Sequence, residues 1–149
     1  MTKLQFTLPI IPKSKLTVAH TKKGFAYHTK GEKKRESELI PLLAQHRPEK
    51  PLEGAITLGM EVYLPIPTSK PQWFKEAANE QYIYPTGKPD LDNYSKLICD
   101  CMQSLCFFKN DSQIVRYEKE TGKYYSENPR WVISLTEIPQ IKTKKEWGK

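Results

Sequence analysis

Residues 55–65, AITLGMEVYLP, place an apolar side chain at every second position: Ile56, Leu58, Met60, Val62 and Leu64. Successive side chains of a strand point to opposite faces, so this run reads as a strand with one buried face. Leu4, Phe6 and Leu8 repeat the pattern in a first strand that ends at Pro9. Residues 113–125 and 130–138 read as two further strands, joined by the turn Ser126-Glu127-Asn128-Pro129. Residues 16–28 read as a short hairpin, LTVAH and GFAYH on either side of Lys22-Lys23-Gly24.

Between the strands the period changes. Leu91, Tyr94, Ile98, Cys101, Met102 and Leu105 fall within an arc of about 100° on a helical wheel, and Asp92, Lys96, Asp100 and Gln103 fall opposite. This is a helix with one core face and one charged face. An earlier helix is predicted from a capping-box signal, Thr29 with Glu32, to about His46, with Pro41 kinking it or restricting its start. Residues 48–54 are turn-rich. Residues 66–88 form a long, polar, proline-punctuated stretch holding one or two helical turns around Trp73-Phe74-Lys75-Glu76. Connections of that length usually carry function or move. No repeat or linker divides the chain, so residues 1–138 are expected to form one domain, followed by a basic, flexible tail over 139–149.

A chain of 149 residues can bury one core, and its hydrophobic fraction of 38% and charged fraction of 28% describe a soluble globular protein. Nothing approaches the roughly 18 consecutive apolar residues of a membrane span. The N-terminal MTKLQFTLPIIPKSK lacks a long apolar stretch leading to a small-residue cleavage site, so the cytoplasm is the expected location. Cys99, Cys101 and Cys106 are odd in number, close together and without a second ligand cluster, which argues for reduced, partly buried thiols. His20, His28 and His46 have no metal-ligand spacing and read as ordinary surface or half-buried side chains.

A formal charge of +7 favours a polyanionic partner, since lysines gain affinity by releasing counterions from phosphates. The lysines are dispersed, so a binding surface would have to be assembled by the fold. Lys13 and Lys15 in the loop after the first strand, Lys88 before the charged helix, and Lys96 on it are the candidate nucleic-acid contacts. Trp73, in the long polar stretch, is a candidate for stacking on unpaired bases, whereas Trp131 belongs to the core of a strand.

The chemistry-bearing motif is KPDLDN, with Asp90 and Asp92, followed by Lys96 and then Asp111 in KNDSQI. Like charges one residue apart oppose each other's ionisation unless a cation lies between them. One reading makes the three aspartates oxygen ligands for magnesium, which prefers hard ligands and binds through a few carboxylates plus a substrate phosphate. Lys96 would then contact the scissile phosphate or neutralise developing charge. The turn carrying Asp111 would have to fold back, anchored by Phe107 and Phe108. The plainer reading makes Asp92 a helix cap in an i,i+4 pair with Lys96, makes Asp111 a turn former and leaves Asp100 solvated or ion-paired. On that reading the chain is a non-catalytic basic nucleic-acid-binding module.

The run KPDLDNYSKLICDCMQSLCFFKNDSQI resembles the signature of RusA-type Holliday junction resolvases, a family common in prophages. Its pattern is Pro-Asp-x-Asp-Asn, a lysine four residues after the second aspartate, a following aspartate, and an Asp-Asp-x-Gln turn. LPIIPKS, PIPTSK and the final strand pair fall in the family's order, so the resemblance spans about Leu4 to Ile138. It implies an α+β fold, a single domain whose mixed β-sheet has helices packed on it. It implies that Asp90, Asp92 and Asp111 are essential metal-binding acids, that Lys96 is needed for cleavage, and that the cofactor is Mg2+, with Mn2+ able to substitute. It further implies a homodimer that makes paired hydrolytic cuts in a four-way DNA junction during recombination and repair. Asn110 departs from the pattern, standing where the first acid of the turn usually is, and Lys13-Ser14-Lys15-Leu16 lacks an asparagine common in that loop.

Overall fold

The computed structural model describes residues 2–15, 19–20, 26–27 and 30–148. Strand β1 (Lys3–Leu8) is followed by a small antiparallel pair, β2 (Ala19–His20) and β3 (Ala26–Tyr27), then helix α1 (Lys30–Ala44) and strand β4 (Ile56–Pro65). Helices α2 (Gln72–Asn79) and α3 (Leu91–Ser104) come next, followed by strands β5 (Ile114–Tyr117), β6 (Gly122–Ser126) and β7 (Arg130–Glu137) and a last helical turn, α4 (Lys144–Trp147). The expected hairpin is present as β2 and β3. Its turn at Lys22-Lys23-Gly24 and the Thr29–Glu32 capping box lie outside what is described.

The main sheet runs β1-β7-β4-β5, with β6 also on β4. β7 is antiparallel to both β1 and β4, whereas β5 and β6 are parallel to β4, so the sheet is mixed. The fold is α+β, as the family resemblance implied. Register aligns the alternating apolar positions in rows: Leu4, Leu135 and Leu58; Phe6, Ile133 and Met60; Leu8, Trp131 and Val62. These rows face α1 and α3, which add Leu39, Leu43, Tyr94, Leu97, Ile98 and Met102 to one core. Each such side chain contributes about 1.5–3 kcal/mol when fully buried. On the other face Gln5, Ser134 and Gly59 form a polar row. A Cβ at Gly59 would lie 2.2 Å from Ser134 Oγ, so this row closes only because a glycine stands at its centre.

Residues 113–125 do not form the one strand expected. The chain turns at Glu118–Thr121, where the Thr121 N–H donates to the Glu118 carbonyl (3.1 Å). Thr121 Oγ1 then accepts from the Met60 N–H (3.2 Å), taking a place in the ladder that a backbone carbonyl would otherwise fill. β5 and β6 therefore meet the same edge of β4 as separate segments. In the 66–88 stretch the helical turns are present as α2, with Ala78 buried. α1 continues through Pro41 and ends at Ala44, near the expected limit.

α2 and α3 stop in the same way. Gln81 (φ 68°) and Cys106 (φ 61°) are left-handed although neither is glycine. In each case the next residue reaches back five positions, Tyr82 N–H to the Ala77 carbonyl (2.9 Å) and Phe107 N–H to the Met102 carbonyl (3.0 Å). These are Schellman closures, in which glycine is the usual left-handed residue. Cys106 is exposed, while Cys99 and Cys101 are buried. Burial pushes the Cys99 thiol up to about 11 and the Cys101 thiol up to about 12.

Two outcomes follow. Cys106→Gly relieves a left-handed side chain and should raise stability by about 0.5–1 kcal/mol, read as a higher urea midpoint at unchanged slope. A lower midpoint would contradict the strain argument. Both buried thiols stay protonated in the fold above their ordinary 9.0. Their contribution is therefore intact below pH about 9 and is lost as pH rises through about 11 and then about 12. Stopped-flow thiol titration at neutral pH should modify Cys106 alone until the protein unfolds.

Candidate active site

α3 begins at Asp90, whose backbone is extended (φ −68°, ψ 151°) and whose side chain makes no capping hydrogen bond. Its carboxylate is therefore not used by the helix. Asp92, in the first turn, pairs with Lys96 at 3.1 Å, and both side chains are well exposed. This pair answers the electrostatic problem of the aspartate doublet, because Lys96 supplies a positive charge beside it. Asp100 pairs with Lys15, as the plainer sequence reading anticipated.

The loop that delivers Asp90 is held by a residue the sequence did not single out. Lys123 Nζ, from β6, donates to the carbonyls of Gly87 (2.8 Å) and Pro89 (3.0 Å). On the other side, the Lys15 N–H donates to the Asn93 carbonyl (2.9 Å), docking residues 10–15 against the first turn of α3. Between this loop and the helix lies a cleft of about 480 Å³ whose charged lining is Lys13, Lys15, Lys88 and Arg35. Three of the four lysines proposed from sequence thus share one surface, and Lys96 lies outside it. Arg35 was not anticipated. It comes from α1, bonds to the Ser14 carbonyl (2.6 Å), and reaches the cleft only because α1 packs on α3. A helix N-terminus adds partial positive charge at the same place.

Asp111 opens a 3-10 turn, Asp111–Gln113, between α3 and β5. Phe107 and Phe108 are fully buried just before it, as the anchoring argument required. The turn is clamped by Gln113, whose Oε1 accepts from the N–H groups of Lys109 (2.9 Å) and Asn110 (3.0 Å). Gln113 Nε2 donates to the carbonyls of Leu52 (3.0 Å) and Gly54 (3.0 Å). Asn110 Oδ1 accepts from the Ser112 N–H (2.9 Å), so this residue caps the turn. An aspartate could make the same bond, and asparagine makes it without a second negative charge beside Asp111.

The Asp111 N–H donates to Gln103 Oε1 (2.8 Å), near the C-terminal end of α3. Asp92 and Gln103 are separated by about 16 Å along the axis at the rise of an α-helix. The Asp111 carboxylate reaches back far enough to help raise the Cys99 thiol, after burial and against the Ser95 hydrogen bond. Asp90 and Asp92 therefore share one end of α3, and Asp111 stands on a separate arm. Among the described residues no three His, Cys, Asp or Glu side chains are gathered closely enough to hold a metal ion. The donor chemistry of Asp90 and Asp92 still fits a hard divalent cation, which keeps several waters and needs only one or two carboxylates plus a substrate phosphate. Asp92 also lines a neighbouring cleft of about 350 Å³ with Ser95, Tyr117 and Glu118.

Gln113→Ala removes the clamp and should cost about 1–2 kcal/mol, seen as a lowered urea midpoint. A midpoint equal to wild type would mean that the turn is held elsewhere.

Comparison with known proteins gives a match to the model of the family described as endodeoxyribonuclease RusA over residues 8–136. A relative from Bacillus subtilis (strain 168), the uncharacterized protein YqaN, is 38% identical over 104 residues, covering 68% of this chain and 71% of the relative.

Proposed function

The chain belongs to the endodeoxyribonuclease RusA family and is an endonuclease, and we propose that it resolves four-way DNA junctions by paired, magnesium-dependent hydrolysis. A non-catalytic module does not stand beside that membership. The observation that carries the proposal is the adjacency of the basic cleft to the aspartate doublet. Lys13, Lys15, Lys88 and Arg35 line a cleft that also includes Pro89 and Asn93, the residues flanking Asp90 and Asp92. A DNA backbone seated there would bring a phosphate to the end of α3.

In this mechanism Asp90 and Asp92 would hold the cation, with Asp111 the further carboxylate that the family pattern implies for it. When bound, such a cation would supply Lewis acidity at the scissile phosphate. The chain's own residues do the rest. The cleft cations neutralise and orient the backbone, and the N-terminus of α3 favours the phosphate charge. Lys96, paired with Asp92 in the free protein, exchanges that carboxylate for the phosphate and offsets charge that develops as the ester bond breaks. Lys123 keeps the Gly87–Pro89 backbone fixed so that Asp90 stays aimed at the same point. Mn2+, also a hard cation, would substitute for Mg2+.

Two such sites are needed for two cuts, so the active form is a homodimer whose two-fold axis matches that of the junction. Its place is recombination and repair in the cytoplasm, including that of prophage DNA. No helix among the described residues is long and apolar enough to cross a membrane.

The test is a labelled four-way junction incubated with the protein, with chelator, and with Mg2+ or Mn2+ restored. Paired nicks should appear only with the metal. Asp90→Asn should abolish cutting yet bind the junction as tightly as wild type or more so, since a repulsive charge is gone. Wild-type cutting by that variant would overturn the metal assignment. Preference for flaps in a competition assay would redirect the substrate.

A further inference from the structure

β5 is bulged where it joins the sheet. Ile114 pairs with Ile56 and Arg116 with Thr57, so Val115 is passed over and the register shifts. A shift of one residue exchanges the faces of all the side chains that follow. Arg116 therefore turns to the polar face of the sheet, where its Nε donates to Thr57 Oγ1 (2.9 Å). Tyr117, paired with Leu58, turns to the face that carries α3. Without the bulge it would stand on the polar face. The core does not consume this ring, which stays 57% exposed.

Tyr117 stands at the rim of the cleft of about 350 Å³ that Asp92 also lines. The floor is Met60, fully buried, and one side is Leu91 and Ser95 of α3. The Glu118 side chain leaves this cleft for the polar face, where its Cγ would lie 3.1 Å from a Cβ at Gly59. Glu120 borders a separate hollow on that face, with Glu61 and Lys3. The charge left to the cleft is Asp92, already paired with Lys96. An apolar lining with one carboxylate repels a phosphate and suits a flat, uncharged group. The volume is at the small end of the roughly 300–1,000 Å³ of small-molecule sites.

The N-terminal end of α3 thus separates two clefts of opposite character. Pro89 and Asn93 border the basic one, Leu91 and Asp92 the apolar one. A nucleotide has the same two parts, an anionic phosphate and a flat base. We propose that the apolar cleft takes one unpaired base of the DNA strand being cut, stacked on Tyr117, while the adjoining backbone lies in the basic cleft and across the aspartate doublet. Taking a base out of a stack costs least where it is already unpaired. The pocket rests on the endonuclease reading above for its orientation toward a cut strand. It adds to that reading a selection rule: the nucleotide beside the cut is one whose base is free to leave the helix.

The experiment uses the full chain carrying Asp90→Asn, so that binding is read without cleavage. Its probes are a complete four-way junction and a series in which one branch-point nucleotide at a time is abasic. One abasic position should weaken binding about tenfold, as expected for a lost stacking contact, and the others should change it little. Tyr117→Ala should weaken binding of the complete junction by a similar factor, yet bind the junction abasic at that position as well as the Tyr117 protein does. Tyr117→Phe, which keeps the ring, should bind like the parent. Equal losses for Tyr117→Ala on complete and abasic junctions, or none on either, would overturn the pocket. A uniform response across the abasic series would overturn it too, and that series involves no change at Tyr117. So would a shift from dimer to monomer in Tyr117→Ala on sedimentation, which would assign the cleft to a second copy. Coupling of Tyr117 to one base in a chain that cuts no junction under any divalent metal would keep the pocket and remove the nuclease mechanism. Metal-dependent paired nicks without that coupling would do the reverse.

Discussion

Tyr94 meets Trp131 edge-on, with ring centroids 5.9 Å apart, and this contact fixes the charged helix to the centre of the sheet. Trp131 is fully buried on β7, the strand that pairs with both β1 and β4. Edge-to-face packing of two large rings constrains the rotation of a helix more tightly than aliphatic contacts do. Once α3 is seated by Tyr94, Ile98 and Met102, its remaining arc can only face outward. Asp92, Lys96 and Gln103 are therefore presented by the packing of residues that do no chemistry.

That division explains what the sequence discloses. Two periodicities, alternate residues in β4 and a helical arc in α3, are local, and both appear where the residues require. The seam between β5 and β6 is not local, because Thr121 interrupts the strand by bonding to Met60, a residue distant in sequence. The same holds for the basic cleft. Lys13, Lys15 and Lys88 carry a legible charge signal, whereas Arg35 and Lys123 are placed by tertiary packing and carry no motif. Trp73 was legible as an unusual aromatic in a polar stretch. Its edge-on contact with Phe74, which in turn meets Tyr125, was not.

Asn110 and Gln113 show how a motif can be recognised before its physics is known. In sequence, Asn110 reads as a missing acid and Gln113 as one letter of a pattern. In the fold both are turn builders, and Gln113 satisfies four backbone groups of two separate segments. The arm bearing Asp111 is thus tied to the chain around Leu52 and Gly54 and to Gln103 at the far end of α3, not to the aspartate doublet itself.

The split edge of the sheet has a mechanical consequence. The Asp111 arm runs directly into β5, while the Asp90 loop is tethered to β6 through Lys123. β5 and β6 each hold their own length of that edge of β4. The carboxylates on the two sides of the seam thus lean on different strands, while the Asp111 N–H bond to Gln103 joins the arm to the far end of the helix that carries Asp92. Their separation is set by the length of α3 between Asp92 and Gln103, and the core rows of the sheet have no part in it.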